Sequence, residues 1–217
     1  MLSQAVQDYL KTIFHLQKDG PVSTTDLANE LKLSSASVTG MLKRLDQLAL
    51  VNYNSYKGVT LSDQGNKTAI GIIRNHRLLE TYLYKILGYT LDKIHPEACM
   101  LEHFVSEHFT DKIDEVLEYP KYDPHGHPIP TKEGEIEDTS SDILMCDIIP
   151  GQKVVIKRLE DHNPELLAYL EQIELMPDVE VEVTETAPFQ GPLTIIYNNE
   201  KKLISHEIAK NLFVRLI

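Results

Sequence analysis

Apolar residues recur at the helical period in three stretches near the start of the chain. Residues 5–17 predict a first helix, which Gly20–Pro21 ends. The segment 23-STTDLANELKLS-34 predicts a short second helix, capped by Ser23 or Thr24. Ser34 or Ser35 then caps a third helix, in which Val38, Met41, Leu42, Leu45 and Leu48 face inward. A short helix, a tight turn and a further helix predict a helix-turn-helix.

The pattern then changes to strand, back to helix, and finally to strand again. Residues 50–61 predict two strands joined by a polar turn, which is a wing after the third helix. A long helix follows from near Ser62 to Gly88, and another has Pro96 in its first turn and continues to about Tyr119. Residues 120–142 predict a loop, and the rest predicts strands with one short helix, a small barrel-like module.

Composition and charge narrow the class of protein. The chain of 217 residues is 42% hydrophobic, which is typical of a soluble globular protein, and it has no apolar run long enough to cross a bilayer. No signal peptide is visible and there are two cysteines, so a reducing cytoplasm is expected. Residues 1–77 carry nine Lys/Arg and six Asp/Glu, which gives a charge of +3. Since the whole chain has a net charge of −12, residues 78–217 carry −15. Two functions on one chain are indicated.

Metal-type ligands are concentrated in the segment 95-HPEACMLEH-103. His95, Cys99 and His103 follow a spacing of four, with Glu102 beside them, so all four can converge on one side of a helix. Thiolate, imidazole and carboxylate together suit a divalent transition metal. Asp8 on the first helix is a candidate outside ligand. The alternative is ordinary: helical His–Glu pairs, such as His76 with Glu80, are often exposed charge pairs, and a single Cys is often a small core residue.

The chain resembles the diphtheria toxin repressor family of metal-dependent transcription factors, including its manganese transport regulator branch. The matching segments are QDYLKTIFHL, the winged helix-turn-helix, RNHRLLE, KIHPEACMLEH, DPHGHPIP and SHEIAKNLFVRLI. The resemblance covers essentially the whole chain. It implies a mainly α fold with a small β module, in three domains: a winged helix-turn-helix domain at 1–72, a helical metal-binding and dimerisation domain at 73–140, and an SH3-like (FeoA-like) domain at 143–217.

The resemblance also implies two metal sites per chain. One site would use His76, Glu80 and His95, with Asp123 and His125 from the DPHGHP loop. The other, regulatory site would use Asp8, Cys99, Glu102 and His103. Within the family, iron-type members tend to have Met where Asp8 stands, and manganese-type members tend to have Glu where Cys99 stands. The cofactor is therefore expected to be Mn(II) or Fe(II). A further ligand from the last domain has three candidates: Glu160, Asp161 and His162.

Small polar residues at the start of the third helix form the predicted DNA-reading surface. Their hydroxyls can bond phosphates or base edges, while lysines suit phosphates. These candidates are Ser34, Ser35, Ser37, Thr39, Lys43 and, in the wing, Lys57. The alternative is that small residues there only cap the helix.

The predicted function is metal-dependent repression of metal-homeostasis genes by a homodimer on double-stranded operator DNA. We expect no membrane association, no small-molecule substrate and no enzyme activity. In this hypothesis Asp8, Glu102 and the Cys99 thiolate repel one another until a cation holds helix 1 to the helical body. Two alternatives remain open: a metal-independent winged-helix regulator with a structural His/Glu/Cys cluster, and a mononuclear metallohydrolase with Glu102 or Glu107 as general base.

Overall fold

The structure is a computed structural model, and it describes residues 2–17 and 20–217. The chain divides into two compact units. The first unit comprises Met1–His76, Glu102–Val105 and Pro130–Glu135. The second comprises Arg77–Leu101, Ser106–Ile129 and Ile136–Ile217.

The first unit begins with three helices: α1 at Gln4–Leu16, α2 at Thr24–Glu30 and α3 at Ser35–Gln47. The side chain of Ser23 caps α2 and that of Ser34 caps α3, each by accepting a backbone N–H three residues ahead. Strands β1 at Val51–Asn54 and β2 at Gly58–Leu61 pair as an antiparallel hairpin directly after α3. The predicted winged helix-turn-helix is therefore present.

An apolar core holds these elements together. Val38, Leu42 and Leu45 are buried on α3, as the helical period predicts, and Leu10 and Ile13 of α1 are buried beside them in the same core. Leu48 was predicted to face inward, but 48% of it is exposed. The reason is that α3 ends at Gln47, so Leu48 lies beyond the last turn.

Helix α4 spans Asp63–Lys85, and two shorter helices follow it: α5 at Leu91–Leu101 and α6 at Glu107–Val116. The prediction of one helix with Pro96 in its first turn is wrong. The buried side chains of Leu91 and Ile94 extend α5 by a full turn before Pro96, which lies inside the helix. The predicted continuation to Tyr119 fails because α5 stops at Leu101, and Ser106 caps α6 as a new helix.

The C-terminal part of the second unit is a six-stranded antiparallel sheet, with strands in the order β3-β8-β4-β5-β6-β7. These strands and the two helices α7 and α8 occupy Ile143–Leu144 (β3), Lys153–Leu159 (β4), Pro164–Gln172 (α7), Glu180–Thr186 (β5), Leu193–Tyr197 (β6), Glu200–Ile204 (β7), His206–Ala209 (α8) and Leu212–Leu216 (β8). Helix α7 packs against α5, where the Leu91 N–H donates to Glu171 Oε2 at 3.1 Å.

Apolar residues from α4 to α6 fall into two groups by exposure. Leu79 and Leu83 are buried within the chain and Val105 is half-buried. The exposed members are Ile86, Leu87, Leu101, Phe104 and Phe109, and Phe104 is 72% exposed. In the part of the chain that the structure describes, no helix is both long enough and apolar enough to cross a membrane.

Candidate metal centres and DNA-binding surface

Asp8, Glu102 and His103 form a cluster in the first unit, called here the first cluster. Asp8 is on α1, and the other two directly follow α5. One ligand atom from each lies within 4.8 Å of the others. His103 Nε2 is 3.1 Å from Asp8 Oδ1 and 3.4 Å from Glu102 Oε1. Glu102 and His103 are buried, while Asp8 is partly exposed, so the cluster has one solvent-facing side.

The imidazole of His103 is oriented by Gln7. The Gln7 side-chain amide donates through Nε2 to the Leu2 carbonyl oxygen at 3.2 Å, so its Oε1 faces His103 and accepts from Nδ1 at 2.9 Å. When the ring is neutral, this contact favours the proton on Nδ1 and leaves the lone pair of Nε2 for a metal ion, which is the tautomer that a metal ligand needs.

Glu102 is also surrounded by cationic or protonated nitrogen. Lys11 Nζ donates to both of its oxygens, at 2.9 and 2.8 Å, and His76 Nδ1 lies 2.6 Å from Oε2. Burial alone would raise the pKa of Glu102, but His76 and Lys11 outweigh it and hold the pKa below its ordinary value. For Asp8 the balance differs: burial, reinforced by Glu102, raises its pKa despite His103 and Lys11. Two carboxylates thus share a site that favours added positive charge.

A second cluster lies in the second unit and comprises Glu80, His95 and His125. Glu80 Oε1 is 3.1 Å from His95 Nδ1, and Glu80 Oε2 is 3.7 Å from His125 Nδ1. Glu80 is 1% exposed and His125 is fully buried. Cys99, one turn beyond His95 on α5, places its Sγ 3.5 Å from His95 Nε2.

The loop that carries His125 is fixed by backbone contacts. Asp123 Oδ1 accepts from the backbone N–H groups of His125 and His127, at 2.9 and 3.0 Å. The Leu159 N–H donates to the His125 carbonyl oxygen at 2.8 Å, which attaches the loop to β4. Gly126 has φ +89°, and a Cβ there would lie 2.0 Å from the Lys157 carbonyl oxygen. Only glycine allows this approach.

His125 itself shows that this cluster suits a ligand. Among residues 2–17 and 20–217, neither of its ring nitrogens has a hydrogen-bond partner. A buried polar group without a partner is costly, so a buried imidazole of this kind calls for an explanation, such as a metal ion. Burial lowers the pKa of His125, but the carboxylates of Glu80, Asp123 and Asp161 outweigh it and raise the pKa above the ordinary value. The donor set therefore fits a divalent cation.

Asp161, after β4, adds a further carboxylate beside the second cluster. Its Oδ2 lies 3.9 Å from His95 Nδ1 and 3.9 Å from His127 Nδ1. Burial raises the pKa of Asp161, but His127, His95 and His162 together bring it below the ordinary value. Of the three candidates for a ligand from the last domain, Asp161 is the one whose carboxylate lies 3.9 Å from both His95 and His127, while the ring of His162 lies 6.4 Å from that of His95. Glu160 and His162 lie next to it.

Two predicted ligands, His76 and Cys99, each contact a member of the cluster to which they were not assigned. His76 belongs to the first unit, where its Nδ1 lies beside Glu102, and Cys99 belongs to the second unit, where it lies beside His95. The sequence argument had grouped His76 with Glu80 and Cys99 with Asp8. Those assignments stay predictions.

Three residues that lie beside the clusters were not predicted from the sequence: Gln7, Lys11 and His127. Lys11 follows Asp8 by three positions on α1, so the two share a helix face, and this spacing was a usable signal. His127 lies in the same DPHGHP segment as His125. Gln7, by contrast, could be found only from the position of His103.

The predicted DNA-binding residues divide between capping and exposed roles. The Ser34 side chain accepts from the Ser37 N–H, and Thr39 Oγ1 donates to the Ser35 carbonyl oxygen, so both serve α3 itself. Five candidates are exposed: Ser34, Ser35, Ser37, Lys43 and, in the wing, Lys57. Two exposed residues were overlooked, Arg44 on α3 and Tyr56 in the wing, which is 96% exposed.

A winged helix-turn-helix followed by buried clusters of His and carboxylate side chains defines the class of metal-dependent DNA-binding regulators. Comparison with known families supports the same class along the chain. Residues 1–59 match the N-terminal DNA-binding domain of iron-dependent repressors, residues 62–131 match their metal-binding and dimerisation domain, and residues 143–216 match the FeoA domain. The predicted fold class is confirmed.

Individual relatives in this family align with the chain over nearly its whole length. The chain is 28% identical to the iron-dependent repressor IdeR of Mycobacterium bovis, covering 96% of this chain and 95% of that one. It is 29% identical to the diphtheria toxin repressor of Corynebacterium glutamicum, covering 96% and 94%. A solved manganese-dependent transcriptional repressor in complex with manganese is 31% identical, covers 98% of this chain and all of its own, and superimposes with a TM-score of 0.87. The chain belongs to the iron-dependent (diphtheria toxin) repressor family.

Proposed function

We propose that this chain is a cytoplasmic repressor of metal-homeostasis genes, and not an enzyme. It binds operator DNA as a homodimer when Mn(II) or Fe(II) occupies two sites per chain. The first site comprises Asp8, Glu102 and His103, with Cys99 assigned by family resemblance. The second comprises Glu80, His95, Asp123 and His125, with His76 assigned by resemblance and Asp161 added from its contacts.

The observation that carries this proposal is the composition of the first cluster. Asp8 comes from α1, which packs in the core of the winged helix-turn-helix, whereas Glu102 and His103 come from the segment after α5. Any ligand held by all three residues therefore fixes α1 to that segment. When bound, a divalent cation supplies the positive charge that lets two carboxylates share this site.

Residues of α1 then connect metal binding at the first cluster to the helix-turn-helix that contacts DNA. Gln7 keeps His103 in the tautomer that accepts a ligand, and Tyr9 and Leu10, both buried beside Asp8, connect α1 to the helix-turn-helix core. In a dimer, two such domains held at a fixed separation match successive major grooves, about 34 Å apart. Shifting a two-state equilibrium from mostly non-binding to mostly DNA-binding protein requires the metal ion to favour the DNA-binding state by about 5 kcal/mol.

The test is DNA binding by the full chain, measured by mobility shift on the DNA upstream of its own gene. Metal-stripped protein is compared with protein supplied with Mn(II), Fe(II) or Zn(II). We expect a shift only with metal, and Asp8→Ala should abolish the stimulation while leaving the circular dichroism spectrum intact. Glu133→Ala, an exposed acidic residue outside both clusters, serves as the matched control and should behave as the wild type.

Three other outcomes would contradict the proposal in different ways. Stimulation that survives in Asp8→Ala removes Asp8 from the site. An equally strong shift without metal supports a metal-independent regulator. Absence of any shift, together with metal-dependent hydrolysis, supports an enzyme.

A further inference from the structure

The ammonium group of Lys11 lies against the Glu102 carboxylate of the first cluster. Its ammonium group donates to both oxygens of Glu102, at 2.9 and 2.8 Å, and the Glu102 side chain is only 2% exposed. His76 Nδ1 approaches Oε2 of the same carboxylate at 2.6 Å. A carboxylate has about four lone-pair sites, so most of the capacity of Glu102 is already in use.

We propose that Lys11 is an internal competitor for the Glu102 carboxylate, and that it sets the concentration at which a divalent metal ion occupies the first cluster. This inference rests on the proposed function, because it concerns the metal affinity of the same site. It assigns to Lys11 a positioning role and not that of a ligand, since an ammonium group has no lone pair to offer.

The charge balance explains why the two cations exclude each other. Asp8, Glu102 and Lys11 are the charged side chains that the first unit places at this cluster, and with neutral histidines they sum to a single negative charge. A divalent ion added beside Lys11 would produce a net positive charge around a buried carboxylate, whereas the same ion without Lys11 would leave the group neutral. Like charges a few ångströms apart in a poorly solvated site repel strongly, so the ammonium has to leave.

Lys11 has a route into water when it leaves Glu102. Its side chain is 17% exposed, and it has a flexible four-carbon stem that can carry the ammonium into water. Because this stem rotates about its own bonds, the ammonium can leave Glu102 while α1 stays in place. Metal binding therefore replaces the Lys11–Glu102 ion pair with a link from Asp8 through the metal ion to Glu102. The measured metal affinity is reduced by the free energy needed to break that ion pair.

The experiment compares metal affinities of full-length, metal-stripped variants by calorimetric titration with Mn(II). All variants are made in a His125→Ala background to remove the second site, with the unmodified background in parallel. Lys11→Gln removes the charge but keeps a donor for Glu102, and we expect it to bind Mn(II) about tenfold tighter or more. Lys11→Arg retains the charge and should remain near the wild-type affinity. Lys112→Gln, which breaks an exposed lysine–glutamate pair on α6, is the matched control and should not change it.

A second measurement separates competition from simple structural support. Without metal, Lys11→Gln should melt at a lower temperature than its parent, because Glu102 loses its ion pair, and Mn(II) should raise its melting temperature by more. Unchanged or weaker Mn(II) binding in Lys11→Gln, with binding intact in the parent, overturns the role of Lys11 alone. Binding in neither protein overturns the proposed metal site as well. Binding only in Lys11→Gln would leave Lys11 as a complete block, and would refute the proposed function of the natural chain.

Discussion

Replacing His125 by leucine should stabilise the metal-stripped protein, although His125 is one of its most buried residues. The imidazole is fully buried, and within residues 2–17 and 20–217 neither ring nitrogen has a hydrogen-bond partner. The carboxylate oxygen Glu80 Oε2 lies 3.7 Å from Nδ1, beyond hydrogen-bond length. A core residue with satisfied contacts would show the opposite effect.

The magnitude follows from the cost of unpaired polar groups. Burying one without a partner costs about 1–3 kcal/mol. Leucine removes that cost but fits the pocket less well than the native ring, and a shape mismatch in a core typically costs about 1 kcal/mol. The net expectation is a gain of about 1 kcal/mol, which corresponds to a rise in melting temperature of about 2–4 °C for a chain of this size.

The pH dependence has a definite sign. The pKa of His125 is raised, because Glu80, Asp123 and Asp161 together outweigh the effect of burial. A raised pKa contributes stability that is fully present below the unfolded value, about 6.5, and is lost as the pH rises through the folded value. The advantage of leucine should therefore be largest near pH 8.5 and should shrink or reverse near pH 5.5.

Thermal unfolding of the full chain in chelator, followed by circular dichroism at both pH values, measures this directly. Substitution of the exposed His108 by leucine is the matched control and should change little. With saturating Mn(II) the order should invert, because the wild type gains stability from binding and His125→Leu gains less. A loss of 2 kcal/mol or more in chelator at pH 8.5 would refute the reasoning, since it would mean that the ring is well paired in the metal-stripped fold.

Two further predictions concern the loop beside β4 and the wing. Gly126→Ala should destabilise the metal-stripped chain by about 2 kcal/mol or more and weaken Mn(II) binding, because the added methyl meets the Lys157 carbonyl oxygen and φ is positive; a melting temperature equal to that of the wild type would contradict the observed approach. Lys57→Ala should weaken operator binding similarly for all sequences and reduce the slope of log K against log salt by about 1, measured by fluorescence anisotropy; an unchanged slope would show that Lys57 does not reach a phosphate.

Much of the fold was predictable because its elements are locally encoded. The winged helix-turn-helix follows from the helical period, from serine caps and from one polar turn, all of which act within a few residues. The break between α5 and α6 was missed for an equally local reason. Pro96 was taken as a helix start, but Leu91 and Ile94 are fully buried, and the energy of burying them places the start earlier.

The candidate ligands were predictable from residue type, but their surroundings were not. Glu80 and His125 are 45 positions apart, and their approach depends on how the loop is held by Asp123 and by the backbone of β4. Similarly, sequence spacing places Lys11 on the same face as Asp8, but it does not show that Glu102, 91 positions later, accepts both of its hydrogen bonds. Long-range pairing of this kind is decided by tertiary packing.

The two clusters differ in whether their buried polar groups are paired, and this changes the role expected for repulsion between the carboxylates of the first cluster. From the sequence, the anionic side chains of the metal-free first cluster were predicted to repel one another and to leave α1 loose. In the structure Lys11 already neutralises Glu102, so α1 is linked to that segment before any metal ion is added. In the second cluster, by contrast, the ring nitrogens of His125 have no hydrogen-bond partner among the described residues. A metal ion at the first cluster therefore has to displace the Lys11–Glu102 ion pair, whereas at the second cluster it relieves the cost of the unpaired His125 nitrogens. Any switching at the first cluster must come from the difference in free energy between the link made by Lys11 and the link made by the metal ion.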